Sequence, residues 1–174
     1  ATTNVNINNN ILQNCNITST GAFSGGISNT ATVTNLSLSG NTVTGNTKAM
    51  TLGGAVNWMT TSILNTNAIV NDNIVSNNVV TAAGVGVTVF CIQGGTSIYT
   101  FNNNLIYNNS ITGITTGVAS LTGYNNASSP TSETITNNTV RRLFITGTST
   151  SLHALQGINS NTVGTSVKNI SNNN

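Results

Sequence analysis

Charge is nearly missing from this chain. Of 174 residues, four are Lys or Arg and two are Asp or Glu, 3% in all, against roughly 25% in ordinary soluble domains. The four cations, Lys48, Arg141, Arg142 and Lys168, are too few to neutralise a phosphate backbone, which argues against nucleic acid as a partner. Two cysteines, Cys15 and Cys91, cannot form a disulfide scaffold and read as small buried hydrophobes. No run approaches the roughly 18 apolar residues of a membrane helix, and no basic-then-apolar leader stands at the start, so no membrane span is expected. Because the chain begins at Ala1 without Met, it reads as a mature or excised fragment. Proline occurs once, and good helix formers are scarce, which points away from helices. The dipeptide Asn-Gly never occurs, although 33 Asn and 17 Gly are present and random pairing would give about three. Its absence speaks against antiparallel hairpins.

What is abundant is equally one-sided. Asn (33), Thr (31), Ser (18) and Gly (17) make up 99 of the 174 residues, while 37% are apolar. Val, Ile and Thr favour strands, and the length suits a single domain, residues 1–174, with a real core.

A polar triplet between apolar residues recurs along the chain: Ile7-Asn8-Asn9-Asn10-Ile11-Leu12, Leu38-Ser39-Gly40-Asn41-Thr42-Val43, Val70-Asn71-Asp72-Asn73-Ile74-Val75, Phe101-Asn102-Asn103-Asn104-Leu105-Ile106, Ile135-Thr136-Asn137-Asn138-Thr139-Val140, and Ile170-Ser171-Asn172-Asn173-Asn174. The third polar position is always Asn, at spacings of 31, 32, 31, 34 and 35. The unit is therefore roughly 32 residues, and the chain holds five coils and a fraction. Three residues before this Asn, and two after it, the positions are apolar throughout. Chance would give that pattern about once in 50,000 for a preset register.

These two apolar columns are five residues apart, which one strand of period two cannot place on a single face, so the chain turns a corner between them. Asn tolerates left-handed backbone angles better than other non-Gly residues. Coils stacked at about 4.8 Å would also set the equivalent amides above one another. The column Asn10, Asn41, Asn73, Asn104, Asn138 and Asn173 is thus expected to form a hydrogen-bonded ladder, self-consistent because every coil contributes.

Further landmarks keep step. A second apolar strand follows the triplet (Ile17, Val80, Ile111, Ile145), then Gly-marked stretches such as Gly53-Gly54-Ala55-Val56 and Gly84-Val85-Gly86-Val87, then Ser/Thr clusters including Thr60-Thr61-Ser62, Thr131-Ser132 and Thr165-Ser166. Each coil reads as strand, Asn corner, strand, turn, strand and variable loop. The crossover rule makes a right-handed coil the default.

The run Ile135-Thr136-Asn137-Asn138-Thr139-Val140 and its counterparts resemble the repeat of right-handed parallel β-helix proteins, an all-β solenoid. The Asn/Thr bias is similar to that of very large secreted surface proteins of Bacteroidota-type bacteria. The resemblance covers the whole chain and implies an extracellular or cell-surface location. It carries little about function, because the fold hosts pectate lyases, polygalacturonases, tailspikes, adhesins and passive stalks.

The enzymes of that fold cluster carboxylates with basic residues, and this chain has only Asp72 and Glu133. Two coils apart, they are expected about 16 Å from each other, beyond the roughly 5 to 9.5 Å of paired glycosidase carboxylates. Asp72 reads as a turn-forming substitute for Asn, and Glu133 as a solvated loop residue. A lone carboxylate per coil does not make a calcium site, no phosphate loop or metal-spaced Cys/His set is present, and no cofactor is expected. His153 reads as packed or solvated; with Arg141, Arg142 and Lys168 it forms at most a weakly basic face. Trp58 and Tyr124 are assigned to variable loops, where exposed aromatics could contact glycan.

The expected function is structural and non-catalytic: a filament, stalk or giant adhesin whose coils stack end to end, on copies of itself or on further repeats. Neither terminal coil carries a polar cap, which motivates this reading. The alternative is a glycan- or surface-binding module, followed by ice binding through Thr/Asn-rich faces, with a polysaccharide lyase or hydrolase last.

Overall fold

Apolar and polar residues alternate in segments such as Asn35-Leu36-Ser37-Leu38-Ser39, the pattern of a half-buried strand. The computed structural model describes residues 3–62, 64–126, 128–160 and 167–174. The Thr165-Ser166 cluster lies outside them. The first coil holds β1 (Asn4–Asn8), β2 (Ile11–Gln13), β3 (Asn16–Ile17) and β4 (Phe23–Ser28); the second β5 (Asn35–Ser39), β6 (Thr42–Thr44), β7 (Thr47–Met50) and β8 (Gly54–Thr60). The third holds β9 (Asn65–Asn71), β10 (Ile74–Ser76), β11 (Val79–Ala82) and β12 (Val87–Gly94); the fourth β13 (Thr96–Asn102), β14 (Leu105–Tyr107), β15 (Ser110–Ile114) and β16 (Ala119–Asn126). The fifth holds β17 (Ser132–Thr136), β18 (Thr139–Arg141), β19 (Phe144–Gly147) and β20 (Ala154–Ser160), and β21 (Val167–Ser171) opens a sixth.

Each strand pairs in parallel with its equivalent one coil away, which makes the chain a β-solenoid of about five coils. Sheet A runs β1-β5-β9-β13-β17-β21, sheet B β2-β6-β10-β14-β18, sheet C β3-β7-β11-β15-β19 and sheet D β4-β8-β12-β16-β20. The expected columns are the observed register: Ile7 lies opposite Leu38, Leu38 opposite Val70, Val70 opposite Phe101, Phe101 opposite Ile135, and Ile135 opposite Ile170. The coil turns more often than the sequence reading allowed, with four strands instead of three. The extra corner separates sheet B from sheet C.

Inward side chains fill the core in stacked files. Sheet B contributes Leu12, Val43, Val75, Ile106 and Val140, and sheet D contributes Val56, Val89, Leu121 and Leu155. Sheet C contributes Ile17, Lys48, Val80, Ile111 and Ile145. Lys48 keeps its stem in the core and carries its ammonium out to the Ser19 carbonyl (2.6 Å) and hydroxyl (2.8 Å), the usual way a long cation tolerates an apolar file. Burial holds that ammonium below its ordinary pKa. The first inward file of sheet A changes character along the rod: Val5, Leu36, Ala68, Tyr99, Glu133, Lys168. No helix among the described residues is long and apolar enough to cross a membrane.

Candidate functional site

Two adjacent residues work each corner. The first takes the left-handed conformation: Asn9, Asp72, Asn103, Asn137 and Asn172 have φ of 54–58°, and Gly40 has φ 65°. The second is the predicted ladder Asn. The sequence reading gave both tasks to one residue; the structure divides them, and Asp72 is indeed a turn residue.

Ladder geometry repeats from rung to rung. Asn41 donates through its backbone N–H and its Nδ2, both at 3.0 Å, to Oδ1 of Asn73. Asn73 donates in the same way to Asn104 (3.1 and 2.9 Å), Asn104 to Asn138 (2.9 and 3.0 Å), and Asn138 to Asn173 (3.0 and 2.9 Å). The remaining Nδ2 hydrogen reaches back one coil, as from Asn73 to the Leu38 carbonyl at 2.8 Å. Each interior amide thus ties three coils, and all rungs point the same way. Four of the six, Asn41, Asn73, Asn104 and Asn138, are buried.

A second spine occupies the corner between sheets B and C. Asn46 donates to Oδ1 of Asn78, and Asn78 to Oδ1 of Asn109, each through both backbone N–H and Nδ2 at 2.9–3.1 Å. Cys15 precedes it, donating only its backbone N–H to Asn46 at 2.9 Å, and Leu143 takes the next position beyond Asn109. The left-handed residues here are Asn14, Gly45, Asn77, Asn108 and Arg142.

Trp58 and Tyr124 are not loop residues. Both are fully buried, within β8 and β16, because those strands run longer than their Gly-marked starts suggest. Trp58 packs edge-on against Phe23 at 5.9 Å, and Tyr124 stacks on Phe101 at 3.9 Å. Neither can contact a glycan. Glu133 also departs from expectation: it is buried. It accepts from Asn126 Nδ2 at 2.5 Å, from the Tyr124 hydroxyl at 3.3 Å and from the Ser160 hydroxyl, with the Lys168 ammonium 4.0 Å away. Asp72 sits at an exposed corner, so the two carboxylates share no surface. His153 accepts the Ala119 N–H at 3.0 Å and Lys168 is engaged with Glu133 and Ser160, so the basic face reduces to Arg141 and Arg142. No cluster of His, Cys, Asp or Glu with metal-holding geometry occurs among the described residues.

Where sheet D turns into sheet A, the first three coils form a cleft of about 420 Å³ lined by Ser24, Asn29, Asn57, Thr60, Leu64 and Gln93 among others. Asn57 donates to the Ser24 hydroxyl at 3.0 Å. Its Oδ1, and that of Asn29, are buried without a hydrogen-bond partner among the described residues.

The two ends are open. Leu155 and Ile170 stand in the same files as the fully buried Leu121 and Ile135, yet are 54% and 51% exposed. At the other end Val5, Ile7, Leu12, Ile17 and Phe23 are only partly buried. The first spine ends in Asn10, whose Oδ1 meets no donor among the described residues, and in Asn173, whose N–H meets no further Oδ1 there. Comparison with protein-family models, with curated proteins and with solved structures finds no match to this chain.

Proposed function

We propose that the chain is a stretch of a non-catalytic structural rod, working outside the cell in a filament, stalk or large adhesin, and lengthened by further coils of its own kind. The observation that carries this reading is the complementarity of the two ends. Among the described residues one end of the spine offers a free acceptor and the other a free donor, and the two ends expose the same apolar files, Ile7, Leu12 and Ile17 at one and Ile170, Val140 and Ile145 at the other. Unpaired strand edges bordered by apolar side chains are templates for more pairing. Repeat arrays end instead in polar capping units.

The strand count refines what fits. Sheet A has six strands and the other three have five. Two whole copies placed end to end would bring two A strands to one place, whereas a coil that continues with a B strand displaces nothing. Copies joined end to end therefore require β21 to be displaced at each junction. The scattered charges, with Asp72 at a corner and Glu133 enclosed, support a role without catalysis.

Sedimentation velocity and negative-stain microscopy of the purified chain test the proposal. Concentration-dependent association into short, thin linear particles, one solenoid wide and with β21 displaced at each junction, is expected. A monomer at every concentration, or a closed dimer joined face to face, would overturn it.

A further inference from the structure

We infer that the cleft at the D-to-A corner of the first three coils is a binding site for one or two units of a neutral saccharide. The argument begins with an imbalance along one seam. At the end of sheet D the residue after the last outward position turns toward the interior, giving the sequence Asn29, Thr61, Gly94, Asn126, Ser160. Backbone bonds continue the strand pairing there, from Asn29 N–H to the Thr60 carbonyl and from Thr61 N–H to the Gln93 carbonyl, both at 3.0 Å. In the later coils the seam is satisfied from within, because Glu133 accepts from Asn126 and Ser160. In the earlier coils the facing file of sheet A offers Leu36 and Ala68, which can neither donate nor accept.

Two of the polar atoms left over belong to residues that line the cleft. Asn29 is 7% exposed and Asn57 6%, and their Oδ1 atoms have no partner among the described residues. Buried acceptors without donors are uncommon and point to something the chain does not itself supply. What they require is a donor. None of the described residues lining the cleft is charged, so an ionic ligand would be desolvated without compensation, and a divalent cation would lack carboxylate oxygens. A molecule carrying several hydroxyls on a neutral frame meets these conditions. Leu64 offers apolar surface to its C–H faces, and the hydroxyls of Ser24 and Ser62 can give or receive. The volume falls within the roughly 300 to 1,000 Å³ of small-molecule sites. Gln93 closes the floor, since the connection after it is short: β12 ends at Gly94 and β13 begins at Thr96.

The test uses the full chain with cellobiose, maltose and N,N′-diacetylchitobiose as neutral probes and digalacturonate as the anionic one, read by saturation-transfer NMR and calorimetry. At least one neutral probe is expected to bind with a Kd of about 1 mM or tighter. Asn57→Ala should weaken it at least tenfold, Ser62→Trp should abolish it by filling the cleft, and Gln156→Ala, at another place on sheet D, should change nothing. Circular dichroism and the thermal midpoint establish that each variant is folded. The inference falls if no neutral probe binds, which is the result for a merely hydrated groove, if both cleft variants bind like the parent, or if digalacturonate is preferred. Binding here does not depend on end-to-end growth, so either conclusion can fail without the other.

Discussion

A ladder Asn and the left-handed residue before it hold the same corner by different means, and replacing them has different costs. Asn73 is fully buried and makes four side-chain hydrogen bonds, two received from Asn41 and two given to Leu38 and Asn104. Asn73→Ala removes them and strands buried partners on both neighbouring coils, each costing about 1–3 kcal/mol. A loss of about 3 kcal/mol or more is expected in urea unfolding, seen as a lower midpoint at unchanged slope. Asn10→Ala at the exposed end should cost less than about 1 kcal/mol, since water replaces what is lost. The conformational task points the other way at Arg142, the one left-handed non-Gly residue outside Asn and Asp among the described residues (φ 56°). Such a conformation costs an ordinary L-residue roughly 1–2 kcal/mol, and the Arg142 side chain is exposed. Arg142→Asn should therefore raise stability by about 1 kcal/mol in the same assay. The first spine was legible in the sequence because its column is unbroken. The division of labour was not, since Asn supplies both the ladder amide and most of the left-handed angles, and composition cannot tell the tasks apart.

Among the elements, the corner between sheets B and C is the instructive omission. Its signal exists: Asn46, Asn78 and Asn109 each follow a first-spine Asn by five residues, with Val43, Val75 and Ile106 between. Cys15 and Leu143 break the column at its two ends, and a search for an invariant position passes over it. Cys15→Asn would restore an amide there, adding a Nδ2 donor to Asn46 Oδ1 and stabilising by about 0.5–1 kcal/mol. No gain in thermal or urea midpoint would count against the continuity of the second spine. The aromatic residues failed for another reason. A sequence does not disclose how wide a coil is, and the space between sheets A and D admits Trp58, Tyr99 and Tyr124, which in a thinner solenoid would be forced outside. Burial raises the pKa of both phenols above the ordinary value, as it does for the Cys91 thiol. An acid whose pKa is raised by folding contributes stability that is intact below its unfolded pKa, about 10 for tyrosine, and is lost as pH rises through the folded value. Stability should begin to fall above about pH 8.5, where the Cys91 thiol of the unfolded chain ionises, and fall more steeply above about 10, and Tyr124→Phe should flatten the steeper part. Urea midpoints across that range are the measurement.

For the whole molecule, the coil count makes a sharp prediction. A chain ending at Ser160 has five strands in every sheet, so β1 of one copy would seat on β17 of the next and β2 to β4 would follow in step on β18 to β20. With Glu133→Gln, so that no carboxylate is left without Lys168, this shortened chain should form longer linear assemblies than the parent at equal concentration. Equal or shorter lengths by microscopy would show that the sixth A strand does not limit end-to-end fit. Because so few charges are present, growth should respond weakly to salt. Function was the least legible level: the scarcity of charged groups pointed away from catalysis, but the cleft depends on which loops fall side by side after coiling, and no local pattern records that.

The single direction of the rungs has an electrical consequence. Backbone dipoles in a sheet alternate and nearly cancel, whereas the spine carboxamides all align, each comparable to the roughly 3.5 D of a peptide unit. Nine of them give the rod an axial moment on the order of 30 D, positive toward Asn173 and negative toward Asn10. Such rods attract when they meet end to end pointing the same way and repel when they lie side by side pointing the same way. Any bundle they form is thereby biased toward opposed neighbours, each of them a filament of uniform direction.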